Sequence, residues 1–103
     1  GRRMNYAVIN HKEVKNDVWQ AKEWYRTQQK GLEKRFANEV KITLSYLIKN
    51  PLLFEVKYKT VRTAYTAIFP YGVHYHLNEN TKTITILGIF HTSISPDKWV
   101  KRL

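Results

Sequence analysis

Phe69-Pro70-Tyr71-Gly72-Val73-His74-Tyr75-His76-Leu77 and Thr83-Ile84-Thr85-Ile86-Leu87-Gly88-Ile89-Phe90-His91 decide how this chain is read. Both runs alternate bulky or β-branched residues with polar ones at period two, and a polar pentad, Asn78-Glu79-Asn80-Thr81-Lys82, separates them. The pattern predicts a β-hairpin. With Asn80-Thr81 as the turn, Leu77, Tyr75, Val73 and Tyr71 face Ile84, Ile86, Gly88 and Phe90, giving one face that is apolar apart from its phenol groups. The other face then carries His74, His76, Thr85, Leu87, Ile89 and His91. A slip of one residue exchanges the two faces.

Upstream of the hairpin, Phe54-Glu55-Val56-Lys57-Tyr58-Lys59 alternates cleanly and Val61-Arg62-Thr63-Ala64-Tyr65-Thr66-Ala67-Ile68 less so. Together these runs predict four consecutive strands in an antiparallel meander. Further upstream the period changes. Val14, Val18, Ala21 and Tyr25 recur at four, three and four, one stripe of a helix, with Trp24 beside it and Trp19 off it. Gly31 supplies the left-handed conformation favoured just past a helix end. A second stripe, Leu32, Phe36, Val40, Thr43 and Leu47, runs to Asn50-Pro51, where proline stops it. So short a link packs the two helices as an antiparallel hairpin, and their outer faces mix lysines and arginines with Glu13, Asp17, Glu23, Glu33 and Glu39. Asn5-Tyr6-Ala7-Val8-Ile9-Asn10 reads as a short first strand, and Ser95-Pro96 as N-cap and N1 of a short basic helix over residues 98–103. The expected fold is therefore α+β in the order β-α-α-β-β-β-β, with the helix hairpin on an antiparallel sheet and a short C-terminal helix.

At 103 residues the chain reads as a single domain, 1–103, and Gly1-Arg2-Arg3 before Met4 is compatible with a tag remnant. There is no cysteine, so disulfides and thiolate chemistry are excluded. No apolar run approaches the roughly 18 residues of a membrane span, and the expectation is a cytoplasmic protein without a membrane role. Lys and Arg number 18 against 8 Asp and Glu, a net charge of +10. Such a field attracts polyanions, whether nucleic acid, an acidic protein segment or a membrane surface.

Three constellations invite chemistry. His74, His76 and His91 share a face in the expected register, but His91 then sits opposite Pro70, about 13 Å along the strand from His74 at ~3.3 Å per residue. No metal site is expected. His91 with Arg62, Lys101 and Arg102 could act as acid or base on a phosphodiester if the fold gathers them in one cleft; otherwise His91 bonds locally and caps the sheet edge. Trp99 with Lys98, Lys101 and Arg102 makes a basic aromatic tail that either stacks on a partner or packs back on the sheet.

Trp24-Tyr25, Gln28-Gln29-Lys30-Gly31-Leu32, Arg35-Phe36, Asn50-Pro51, Phe69 to Tyr75, Ile89-Phe90-His91-Thr92-Ser93 and Pro96-Asp97-Lys98-Trp99 occur in one collinear order from Met4 to about Arg102. The set resembles the RelE/ParE toxin superfamily, most closely its ParE-like plasmid-stabilisation branch. The resemblance implies the toxin of a type II toxin–antitoxin pair. Its partner would be an antitoxin whose flexible acidic segment wraps the helix hairpin and sheet in a hetero-oligomer. ParE-type members poison DNA gyrase by binding, without a cofactor; RelE-type members cut messenger RNA in the ribosome.

The lysines and arginine of RelE-type nucleases fall here on Thr63, Tyr65 and Gly72, none of them basic. Lys57 and Lys59 have the spacing but lie on the earlier strand. The ParE-like reading therefore has no catalytic residue, and its target- or antitoxin-binding candidates are Arg62, Tyr71, His74, His91, Trp99, Lys101 and Arg102. The alternatives are a nuclease using His91 and Arg62, or a toxin fold that has lost activity. In support of the last, Ile94-Ser95 stands where the ParE-like pattern reads Arg-Asp.

Overall fold

A computed structural model describes residues 6–103; Asn5 of the expected first strand and the residues before it lie outside the described part. The elements are β1 (Ala7–Asn10), α1 (Val14–Gln28), α2 (Leu32–Lys49), β2 (Val56–Tyr58), β3 (Val61–Tyr65), β4 (Tyr71–Asn78), β5 (Thr83–His91) and α3 (Asp97–Val100). The sheet runs β1-β5-β4-β3-β2, antiparallel from β2 through β5 as expected, with β1 added in parallel beside β5. No helix of the described residues is long and apolar enough to cross a membrane.

Both helical stripes face the sheet. Phe36, Val40, Thr43 and Leu47 of α2 and Val14 and Ala21 of α1 are buried. Gly31 turns between the helices at φ 87°, the left-handed backbone that glycine adopts without a Cβ clash. Tyr25 and Phe36 pack with Phe69 and Tyr71 at ring separations of 4.8–6.0 Å, a cluster that joins the helix hairpin to the start of β4. At the other end Tyr75, fully buried, donates its hydroxyl to the Pro51 carbonyl at 2.6 Å and so ties the end of α2 to mid-sheet; burial pushes this phenol up to about 12. Trp19 and Trp24 stay exposed.

Several expectations are corrected. β3 ends at Tyr65 and not at Ile68, because Thr66 turns the chain by donating its hydroxyl to the Phe69 carbonyl and Ile68 takes a positive φ of 74°. Ser95 does not cap α3 through its side chain: its hydroxyl donates to the Asp97 carboxylate. Asp17 does not lie on the solvated helix face, since its side chain is 7% exposed. The largest correction concerns the hairpin register. Leu77 faces Ile84 and Tyr75 faces Ile86 as expected, but a bulge then places His74 against Gly88, Val73 against Ile89 and Tyr71 against His91. Leu87 is the extra residue. Below the bulge the faces are as expected; above it they exchange, so Ile89 joins the core under the helices.

Leu87 joins Val61 and Trp99 in a second cluster, on the sheet face away from the helices. There α3 lies back on the sheet: Trp99 is 3% exposed and stacks on His74 at 4.5 Å and 18°, with Tyr58 edge-on at 5.8 Å. His74 also shares a 2.8 Å hydrogen bond with the Thr63 hydroxyl. The chain end is fixed by Arg102, which forms a bidentate ion pair with Asp17 at 2.7 and 3.2 Å. The same guanidinium donates to the Leu87 carbonyl at 2.9 Å, and Asp17 accepts the Ile89 N–H at 3.2 Å. Where β1 stops opposite Ile86, these two side chains thus take over the edge of β5.

Removing either charge leaves the other buried, and Asp17→Ala is expected to cost about 3 kcal/mol or more. The double variant with Arg102→Ala should cost clearly less than the sum of the single ones; additive losses in urea unfolding would refute the coupling. Burial lowers His74 to about 4 from its ordinary 6.5. The unfolded chain therefore binds a proton between those values that the folded one refuses, and stability falls as pH drops from about 6.5 to 4. His74→Phe should flatten that part of a melting-temperature profile relative to the native chain, and an unchanged slope would exclude His74 as its source.

Candidate functional site

The exchange of faces moves His91 to the helix side of the sheet, away from His74 and His76. Its ring lies edge-on to Tyr71 at 5.5 Å. Nδ1 accepts the Ser93 N–H at 3.0 Å and meets the Ser93 hydroxyl at 2.8 Å. With Nδ1 accepting, the neutral ring carries its proton on Nε2 and is a donor there. Burial, and then the neighbouring Tyr25, push the Tyr71 phenol above its ordinary value, so its hydroxyl stays a donor too.

Tyr71 and His91 open onto a cleft of about 240 Å³ between α1 and the upper end of β5. Asp17, Gln20 and Ala21 form its helical wall; Ile89, Phe90 and Ile94 complete it. The Asp17 carboxylate is matched by Arg102, so the wall it contributes is an ion pair and not a free anion. The arrangement offers two donors and an amide over an apolar floor. It suits recognition of a hydrogen-bond acceptor attached to an apolar group.

The other sequence candidates are dispersed. Arg62 stands opposite Tyr75 and donates to the Phe54 carbonyl at 2.6 Å, anchoring the entry to β2. His91 stands opposite Tyr71, four residues along β4, about 13 Å at ~3.3 Å per residue. The histidine and arginine of the nuclease alternative are therefore not brought into one cleft. His74 and Trp99 are stacked on each other, and Arg102 is held by Asp17. Lys101 is exposed at the chain end. Among the described residues no group of three or more His, Asp or Glu is placed to hold a metal ion.

Of the cleft residues, Gln20 was not singled out in the sequence, Asp17 was placed on the solvated helix face, and Ile94 was noted only as a departure from the ParE-like pattern. Asp17 carried a signal: it falls three residues after Val14 and four before Ala21, on the buried stripe. Gln20 carries none, because an exposed amide has no periodicity of its own, and the departure at Ile94 says nothing of where that side chain packs.

No protein-family model matches the sequence, and no curated protein matches it. Solved structures do. A chain of the chromosomal ParDE TA system from P. aeruginosa aligns with a TM-score of 0.71 at 17% identity, over 85% of this chain and 97% of that one. A chain of the toxin–antitoxin complex RelBE2 from Mycobacterium tuberculosis aligns with a TM-score of 0.60 at 16% identity, over 84% and 98% respectively. Two helices on a five-stranded sheet with a short C-terminal helix make this the RelE/ParE-like fold.

Proposed function

We propose that the chain is the toxin of a type II toxin–antitoxin pair, that it is neutralised by an antitoxin with an acidic flexible segment, and that it acts in the cytoplasm by binding and inhibiting DNA gyrase. The observation that carries the first part is the fold shared with chains of the ParDE and RelBE2 systems along nearly their whole length. The net charge of +10 supports an acidic partner, because eight carboxylates cannot neutralise 18 cations within the chain.

The choice of a binding mode over RNA cleavage is supported by where the candidate groups lie. Phosphodiester cleavage needs an acid or base and a cation converging on one phosphate. Here His91 and Arg62 stand apart, and Arg62 is engaged by a backbone carbonyl. The ribosome-dependent endoribonuclease is the competing reading. Lys57 and Lys59, exposed on and beside β2 and near the rings of Tyr65 and Tyr58, are the cations it would draw on.

Expression in the absence of an antitoxin is expected to arrest growth, and the purified chain to inhibit supercoiling by gyrase without cutting RNA. Lys57→Ala with Lys59→Ala should leave both effects unchanged. Site-specific messenger cleavage in toeprints of translating ribosomes, lost in that double variant, would replace the gyrase reading by the nuclease. Normal growth with full gyrase activity would remove the toxin reading for this copy.

A further inference from the structure

We infer that the turn between β3 and β4, with Ile68 held outward on strained backbone, is the tip by which the chain enters an apolar pocket of its protein target. The inference rests on the reading of a toxin that acts by binding, and names the surface it binds with.

Ile68 is poorly suited to its place by local chemistry. Its φ of 74° lies in the left-handed region, where a β-branched side chain crowds the backbone. The Phe69 N–H donates to the Ala67 carbonyl at 2.8 Å across it, closing a γ-turn of positive φ, the rare and strained member of that class. Packing gives nothing in return. Ile68 is 75% exposed, more than any other large apolar residue among the described residues. Glycine or asparagine would sit there with less strain. Strain of this kind persists where the surroundings impose it, and it collects at sites that contact a ligand or partner.

The surroundings do impose it. Thr66 is buried, donating its hydroxyl to the Phe69 carbonyl at 2.8 Å and its N–H to the Tyr71 carbonyl at 2.9 Å. The Tyr71 N–H returns to the Phe69 carbonyl at 2.8 Å. The Phe69 ring is buried against Tyr25 and Phe36 at 4.9 and 5.4 Å. With Thr66 and Phe69 pinned, the backbone holds Ile68 outward before any partner arrives, so little conformational freedom is lost on contact.

The sequence around the tip selects the chemistry of the partner. From Thr63 to Asn78 there is no Lys, Arg, Asp or Glu, so all 18 cations and 8 anions of the chain lie elsewhere. Nucleic acid is disfavoured as occupant, because phosphates are held by cations. A second copy of this chain is disfavoured because each copy carries +10. A protein pocket lined by apolar groups fits, since it desolvates the isoleucine without burying a charge. Tyr65 and Pro70, both exposed, flank the tip in sequence.

Ile68→Gly tests this, because it relieves the strain and removes the side chain together. The relief should exceed the entropy that glycine adds to the unfolded chain, raising the melting temperature by about 4 °C. In the same variant the concentration for half-inhibition of gyrase supercoiling should rise about tenfold, and growth arrest weaken with it. Ile68→Asn, which tolerates the same backbone, should weaken inhibition alike without lowering the melting temperature. Ile42→Ala, which removes an exposed isoleucine of α2, should leave inhibition unchanged. Inhibition by both Ile68 variants at the native concentration would overturn the tip and leave the toxin reading standing. A lower melting temperature in Ile68→Gly would also overturn it, since the side chain would then serve the fold. A native chain that sediments as a dimer, made monomeric by Ile68→Gly, would give the tip to a second copy and overturn the target pocket. A native chain that leaves gyrase and growth untouched would overturn the toxin reading, and the tip with it.

Discussion

The ion pair between Asp17 and Arg102 holds together the three parts of the chain that have the least else in common. Asp17 belongs to the first turns of α1, Arg102 to the end of the chain, and both bond to the backbone of β5 at its bulge. A bulge leaves one strand with backbone groups that its partner cannot pair, and a strand edge without a neighbour has the same problem. Here both defects fall at Leu87 to Ile89, just past the end of β1. One carboxylate supplies the missing acceptor and one guanidinium the missing donor. Each charge is also satisfied by the other, which is the condition under which burying them is tolerable. Gly88 is part of the same solution: a Cβ there would meet the Phe90 ring at 2.5 Å and Arg102 at 3.0 Å, so a side chain would push the guanidinium off the edge. That guanidinium sits 4.7 Å from the centre of the Phe90 ring, which completes its surroundings.

From this constraint the division of the sheet into two unlike faces follows. Below the bulge Ile84 and Ile86 point to the helices; above it Ile89 does so, and Leu87 and Phe90 pack on the other side with Trp99. The outer face thereby gains an apolar cluster of its own, large enough to hold a one-turn helix that would not form alone. The stack of Trp99 on His74 secures that helix, and its cost is carried by the histidine, which must stay uncharged among aromatic neighbours. On the inner face the same shift brings His91 against Tyr71 and opens the cleft. One extra residue in one strand thus decides both where the C-terminal helix lies and where the exposed donors are.

How far the sequence revealed this depends on which physical signal each feature leaves. The helical stripes of α1 and α2, the turn at Gly31 and the stop before Pro51 were legible, because burial repeats every three or four residues and because Gly and Pro act locally. The hairpin was legible for the same reason. Its register was legible only up to Tyr75, since period two carries no mark of an inserted residue. The trace it does leave is that Ile86, Leu87, Ile89 and Phe90 are apolar on both parities, with Gly88 among them. Assigning His91 to the face of His74 and His76 was the direct cost of missing that trace. The burial of Trp99 and Arg102 was not legible at all. A basic aromatic tail looks the same in sequence whether it packs on a sheet or reaches a partner, and only the long-range position of Asp17 distinguishes the two.

The internal bonds of the arginines limit where the positive charge can act. Arg102 and Arg62, the two arginines that seemed best placed for a target, are both spent on internal acceptors, a carboxylate and carbonyl groups. The field that a partner meets is therefore set by the exposed lysines of the helices, of β2 and of the chain end, which sit on long, mobile stems in solvent. Charges of this kind steer an encounter and raise its rate, but they are screened within roughly 8–10 Å at physiological ionic strength and confer little geometry. Geometry has to come from groups whose positions are fixed by packing. On this chain those are the phenol of Tyr71, locked in an aromatic cluster, and the imidazole of His91, locked by Ser93. A partner drawn in by the lysines is therefore oriented by fixed side chains such as these and not by the charge that attracted it.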